Sequence, residues 1–109
     1  MDEYKAKPLD LAALVSYAEG AIVSKTLLKK EAGNLSLFAF DKGQGLSEHT
    51  SPFDAVVQVV EGIGTFIIDG SRVTAQAGEM VIMPANMPHD VQAAEAPFKM
   101  LLTMIRSAQ

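Results

Sequence analysis

From residue 22 onward the chain is a succession of short runs with the apolar, β-branched composition of strands, separated by residues that favour turns. Asp69 and Gly70 are a two-residue hairpin signal, because a type I′ turn needs positive φ at both central positions. Residues 61–64 contain two glycines and predict a further break. About nine short strands at this spacing predict an all-β sandwich or barrel. The main runs lie at 22–28, 35–40, 55–60, 65–68, 72–75, 79–83, 89–93 and 98–105.

The segment that precedes these runs has helical spacing. Leu11, Leu14 and Ala18 recur with the 3.6-residue period of a helix. Asp10 fits an N-cap before them and Gly20 fits a stop after them. We therefore predict a single domain over residues 1–109, with a helical segment at about 10–19 and a barrel at about 21–106.

Charge balance and cysteine content exclude several functional classes. Lys and Arg number 9 against 13 Asp and Glu, a net charge of −4, whereas nucleic-acid binding requires a clustered basic face. The absence of cysteine excludes disulfides, thiolate metal sites and thiol catalysis. The sequence contains no secretion-signal pattern and no apolar run of about 18 residues. We expect a cytoplasmic protein that binds neither nucleic acid nor membranes.

Two short motifs each contain one of the two histidines of the chain. In the first motif, five residues separate the opening glycine from a histidine, and six separate an alanine from the closing glycine. Its positions are Gly43, His49, Ser51, Ala55 and Gly62.

The second motif opens at Gly78. Five residues later it continues with Pro84 and Asn86, and two further residues lead to His89. Its final position is Ala93.

Together these motifs resemble those of the cupins, over residues 43–93. The resemblance implies a small single-domain cupin of the conserved-barrel (cupin 2) type. Its fold would be an all-β, cupin-type double-stranded β-helix, the jelly-roll barrel of RmlC-like proteins, here with a short N-terminal helix. Cupins hold a divalent metal ion through three histidines and one carboxylate at four motif positions. In this chain those positions are His49, Ser51, Ala55 and His89, so the implied ligand set is incomplete.

The incomplete set bears on which metal the site would hold. Ala55 has no donor atom, and the neutral hydroxyl of Ser51 is a weak ligand for transition metals. His49 and His89 remain as candidate ligands for a divalent ion such as Fe, Mn, Ni or Zn. We expect such binding to be weak or absent.

Asp54 offers one way to restore a carboxylate. A bulge at Pro52 would turn Asp54 inward and give a set of two histidines and one carboxylate. Strict alternation opposes this, since it places Asp54 on the face opposite Ala55.

The predicted ligand pocket extends beyond the histidines. Val57 and Val59 share the parity of His49, and methionine side chains suit an adaptable apolar wall. The predicted pocket residues are His49, Ser51, Val57, Val59, Met83, His89 and Met100.

The strand at 55–60 is apolar on both faces, so its outer face needs cover. The N-terminal segment or a second subunit would supply it. Homodimers are common among cupins, and we predict a homodimer.

Four functions remain open from these residues. We place first a cupin that binds a small molecule in a mostly apolar pocket. The second is a metal-dependent enzyme, a dioxygenase or isomerase acting on a small organic substrate. In the third, His49 or His89 is a catalytic base without metal, as in cupin-like epimerases. In the fourth, the barrel is a dimeric binding or regulatory scaffold. Whether the protein is an enzyme stays open.

Overall fold

The apolar runs form eight antiparallel strands within residues 3–106, the part of the chain that the computed structural model describes. The all-β prediction is confirmed. The elements are α1 (Leu11–Leu14), β1 (Ile22–Lys30), β2 (Gly33–Phe40), β3 (Gly45–His49), β4 (Phe53–Ile68), β5 (Ser71–Gln76), β6 (Met80–Met83), β7 (His89–Gln92) and β8 (Phe98–Arg106).

Strand β4 connects the two halves of the barrel. Its first half pairs with β6 and β8, and its second half pairs with β5 and β7. The main order is β1-β2-β8-β4-β7-β3, so the sheet curls around β4 and its two halves face one another. This arrangement is the jelly-roll barrel that the motifs imply.

The break predicted at residues 61–64 is wrong, because β4 continues through it. A register shift between Val59 and Glu61 marks a β-bulge, and Gly62 has φ of 79°. The bulge bends the strand without ending its pairing, and it changes which residues face inward. Odd-numbered Val59 lies in the barrel core before the bulge, and even-numbered Phe66 lies there after it.

The hairpin prediction at Asp69 and Gly70 is confirmed. The two residues have φ of 49° and 83°, and Ile68 pairs directly with Ser71. This is the two-residue connection that a type I′ turn provides.

Large apolar side chains fill most of the barrel interior. Phe40 stacks on Phe98 with ring centroids 4.9 Å apart, and Phe66 meets Phe98 edge to face. All three rings are fully buried. These rings therefore fill the interior where they meet.

The N-terminal segment packs on the outside of the sheet and is less helical than predicted. The helix ends at Leu14, and Val15 has extended backbone with φ of −126° and ψ of 146°. Asp10 makes no side-chain capping bond, and a helix this short depends on tertiary contacts. Val15 is instead buried against Leu37 and Ala39 in a second apolar cluster.

This cluster also includes Val60, so the segment supplies part of the outer cover predicted for β4. None of the helices between residues 3 and 106 has the length and apolar character needed to span a membrane.

Candidate functional site

The two histidines are direct partners on neighbouring strands. His49 ends β3 and pairs in register with His89, the first residue of β7. Their ring centroids are 4.5 Å apart and the ring planes meet at 65°. His89 is 3% exposed, whereas His49 is open to solvent. One imidazole is therefore fixed in the barrel wall and the other lies at its rim.

Each ring is oriented by a backbone carbonyl two residues earlier. His49 Nδ1 lies 2.8 Å from the Ser47 carbonyl oxygen, and His89 Nδ1 lies 2.9 Å from that of Met87. A carbonyl oxygen only accepts, so each Nδ1 carries the proton. In the neutral ring, Nε2 is then a free acceptor or metal ligand. Neither Nε2 has a hydrogen-bond partner among residues 3–106.

Both rings line a cavity of about 50 Å³ inside the barrel. That volume holds about four water-sized atoms. Apart from the histidines, every lining side chain is apolar. The lining residues are Leu46, His49, Ala55, Met83, His89, Val91, Met100, Leu102 and Met104.

Four of the seven pocket residues predicted from sequence are brought together here: His49, Met83, His89 and Met100. Val57 and Val59 face the interior but do not line the cavity. Both are buried in the filled part of the core, together with Phe40, Phe66 and Phe98. Whether a residue number is odd or even predicts which face of the strand its side chain lies on. It does not predict where along the barrel the packed side chains leave a cavity.

Ser51 does not line the cavity either. Its Oγ accepts a hydrogen bond of 3.0 Å from the Phe53 amide, and its carbonyl oxygen accepts one of 2.7 Å from the Asn86 amide. These bonds connect the start of β4 to the loop between β6 and β7.

Asp54 also bonds to that loop. Its Oδ1 accepts a 2.9 Å hydrogen bond from the Ala85 amide. The pairing of β4 with β8 is regular from Phe53 to Val59, so the bulge that would turn Asp54 inward does not form. Across the described part of the chain, no three His, Cys, Asp or Glu side chains are grouped closely enough to hold a metal ion.

Sequence reasoning did not include five of the lining residues in the pocket. Alternation along β7 and β8 would have added Val91, two residues after His89, together with Leu102 and Met104 beyond Met100. Alternation could not have predicted Leu46 as a lining residue. It is three residues from His49, and only the register shift between them lets both face inward. Ala55, the fifth, was considered only as a lost ligand.

A larger groove of about 350 Å³ runs along β3 and β7, between residues 43–47 and 90–94. It is open to solvent and neither histidine lines it. The smaller cavity inside the barrel combines apolar walls with two oriented imidazoles, and it is the candidate site.

Comparisons with known proteins agree with this geometry. The family model for the cupin domain matches residues 36–104. A conserved protein of unknown function from Streptococcus pyogenes is 33% identical with a TM-score of 0.88, covering 95% of this chain and 90% of that one. A cupin 2 conserved barrel domain protein from Leptotrichia buccalis is 41% identical, also with a TM-score of 0.88.

The match to the Leptotrichia protein covers 90% of this chain and 47% of that one, so the chain spans about half the length of that protein. No curated protein sequence matches the chain. The match to the family model covers most of the sequence and includes both histidine motifs. The chain belongs to the cupin family.

Proposed function

We propose that this cupin binds a small molecule in the cavity at His49 and His89. The observation that carries the proposal is an apolar cavity inside the barrel with two oriented imidazoles in its lining, whose Nε2 atoms have no hydrogen-bond partner among the described residues. The polar end of the ligand would donate hydrogen bonds to these atoms. Its apolar end would contact the methionines.

The size of the cavity limits the ligand. About 50 Å³ is far below the roughly 300 Å³ at which pockets for drug-sized molecules begin. We infer a ligand of few heavy atoms, or the small end group of a larger molecule that leaves past the exposed His49. At about −1.5 kcal/mol per heavy atom at best, four atoms give a dissociation constant no tighter than roughly 10⁻⁵ M.

The test is an NMR screen of fragments carrying a hydroxyl, amide or carboxylic acid on a short alkyl chain. We expect hits whose affinity falls about tenfold or more in His49→Ala and His89→Ala. Val73→Ala, on the exposed face of β5, is the control and should bind like the parent. Hits that bind the histidine variants as tightly as the parent would contradict the proposal.

A metal-dependent enzyme, a dioxygenase or isomerase, is the second candidate. With Nδ1–H bonded to a carbonyl oxygen, the neutral ring presents Nε2 as the nitrogen that can bind a metal ion. However, the residues do not fit the four-ligand set of the family, since Ala55 and Ser51 supply no inward donor, and we derive no catalytic step through a divalent ion. Elemental analysis after supply of Fe(II), Mn(II), Ni(II) and Zn(II) distinguishes the candidates. Stoichiometric metal that is lost in both histidine variants would favour the enzyme.

A further inference from the structure

We propose that the cavity binds a soft monovalent metal ion of the Cu(I) class. This inference rests on the proposed role of the two histidines as the ligand-binding groups of the cavity. The donors are two imidazoles and three thioethers, on His49, His89, Met83, Met100 and Met104.

Strand register places the methionines around the position at which a carboxylate is missing. Ala55 on β4 pairs with Met83 of β6 on one side and with Met104 of β8 on the other. Directly paired residues have Cβ atoms about 5 Å apart, so both methionine side chains begin beside the small Ala55. All three residues line the same cavity.

The two donor types come from opposite halves of the curled sheet. The histidines are paired on β3 and β7, whereas Met83, Met100 and Met104 lie on β6 and β8. Thioether side chains are flexible and adapt to the position of a bound group. An ion in the cavity would thus meet imidazole nitrogen from one side and sulfur from the other.

The charge of the lining favours a monovalent ion. Among the residues that the structure describes, no carboxylate or thiolate lines the cavity to offset the charge of a cation. The Born cost of transferring an ion from water grows with the square of its charge, so a divalent ion loses about four times as much hydration free energy as a monovalent one. A neutral donor set therefore offsets less of this cost for Zn²⁺ or Fe²⁺ than for a monovalent ion.

The chemistry of the donors favours the same ion. Thioether sulfur is a soft ligand that selects Cu(I), and imidazole binds copper as well. The chain has no cysteine, so no thiolate elsewhere in the protein competes for the ion. Ag(I) has the same charge and softness and serves as a probe that is inert to redox change.

The experiment is an anaerobic competition of the full chain against bicinchoninate for Cu(I), repeated with Ag(I) by calorimetry. We expect one ion per chain and a loss of affinity of roughly tenfold or more in the double variant Met83→Leu/Met104→Leu. Leucine nearly conserves the volume of methionine, so the fold is retained. Met80→Leu is the matched control, since Met80 lies on the same strand as Met83 but is 53% exposed and outside the cavity.

Equal Cu(I) affinity in the parent and the double methionine variant would overturn the inference, and so would tighter binding of Zn(II) than of Cu(I). Failure of the proposed function has a different signature. If the cavity is not a site, His49→Ala and His89→Ala leave fragment binding unchanged. If only the Cu(I) inference is wrong, those variants abolish fragment binding while the methionine variant leaves Cu(I) binding unchanged.

Discussion

His49 and His89 make the same kind of backbone hydrogen bond but differ in burial, so their substitution separates stability from binding. His89→Ala removes a buried ring and its bond to the Met87 carbonyl, and we expect a loss of about 1–3 kcal/mol in the free energy of unfolding. His49→Ala, at an exposed position, should change it by less than about 0.5 kcal/mol. Urea denaturation measures both. Equal losses of unfolding free energy in the two variants would contradict the difference in burial between the two rings.

Ala55 is the residue at which this cupin departs most from a divalent-metal site. Ala55→Glu would bury a carboxylate in the cavity, and we expect it to destabilise the metal-free protein by several kcal/mol. With two histidines present, Zn(II) should restore stability, by about 2.7 kcal/mol at a hundredfold excess over its dissociation constant. Thermal unfolding with and without Zn(II) measures the effect.

Val73→Glu is the control for that substitution, because it places the same carboxylate on the exposed face of β5, outside the cavity. Zn(II) should leave its stability unchanged. An equal response of the two variants to Zn(II) would show that the effect does not arise in the cavity.

At the level of single residues, sequence predicted well what spacing and alternation determine. Both histidines, Met83 and Met100 lie around the cavity. Leu46 was missed because a bulge is a local irregularity that no alternation pattern reports. The hydrogen bonds of Ser51 and Asp54 to the loop before β7 could not be predicted from the sequence either.

Among the elements, the N-terminal segment is attached to the barrel by a small polar cluster. The Tyr17 hydroxyl donates a 2.7 Å hydrogen bond to Glu61 Oε2, which lies 3.9 Å from Lys99 Nζ. Lys99 Nζ donates to the Ala12 carbonyl at 2.6 Å and lies 4.9 Å from the centre of the Tyr17 ring. The segment is thus bonded to β4 and β8 as well as packed on their apolar outer face.

This cluster predicts a loss of stability at alkaline pH. Burial raises the pKa of the Tyr17 phenol, and the hydrogen bond and negative charge of Glu61 raise it further. Because the folded pKa lies above the ordinary value of about 10, the contribution is complete below that pH and is lost as pH rises from there through the folded pKa. Tyr17→Phe should remove this part of the pH dependence above roughly pH 10.

Unfolding free energies from urea titrations across that range provide the measurement. Tyr4→Phe removes the other tyrosine of the chain and is the control. The same alkaline slope in Tyr17→Phe and in the parent would contradict the assignment.

The elements also show where sequence patterns fail. The strands predicted at 55–60 and 65–68 are present. The break predicted at the two glycines between them is instead a bend within β4. The helical spacing of residues 11–18 gives a helix only at Leu11–Leu14, and residues 15–18 lie on the sheet without helical structure. In both cases tertiary pairing, which local composition does not encode, determined the outcome.

For the molecule as a whole, the homodimer stays a prediction. Ile82 and Ile105 are 58% and 50% exposed, and they flank β4 on the face opposite Ala55. We propose that a second copy covers this face. Ile82→Lys/Ile105→Lys should convert a dimer to a monomer in analytical ultracentrifugation, whereas Val73→Lys on β5 should not. A parent that sediments as a monomer at micromolar concentration would contradict the proposal.

The barrel and its two histidine motifs were predictable because glycines, prolines and alternation encode them. Cavity volume was not predictable, since it depends on how the buried side chains, among them Phe40, Phe66 and Phe98, fill the interior. The central claim of this account is that the remaining space at His49 and His89 is a binding site.

Methyl NMR on protein labelled at its methionine methyl groups tests that claim most directly. Met83, Met100 and Met104 line the cavity, and exposed Met80 reports on the surface. Titration with Ag(I) or a fragment hit should shift the three cavity methyl signals but not that of Met80, and the shifts should disappear in His49→Ala/His89→Ala. Cavity signals that no titrant moves, or shifts that persist without the histidines, would contradict the account.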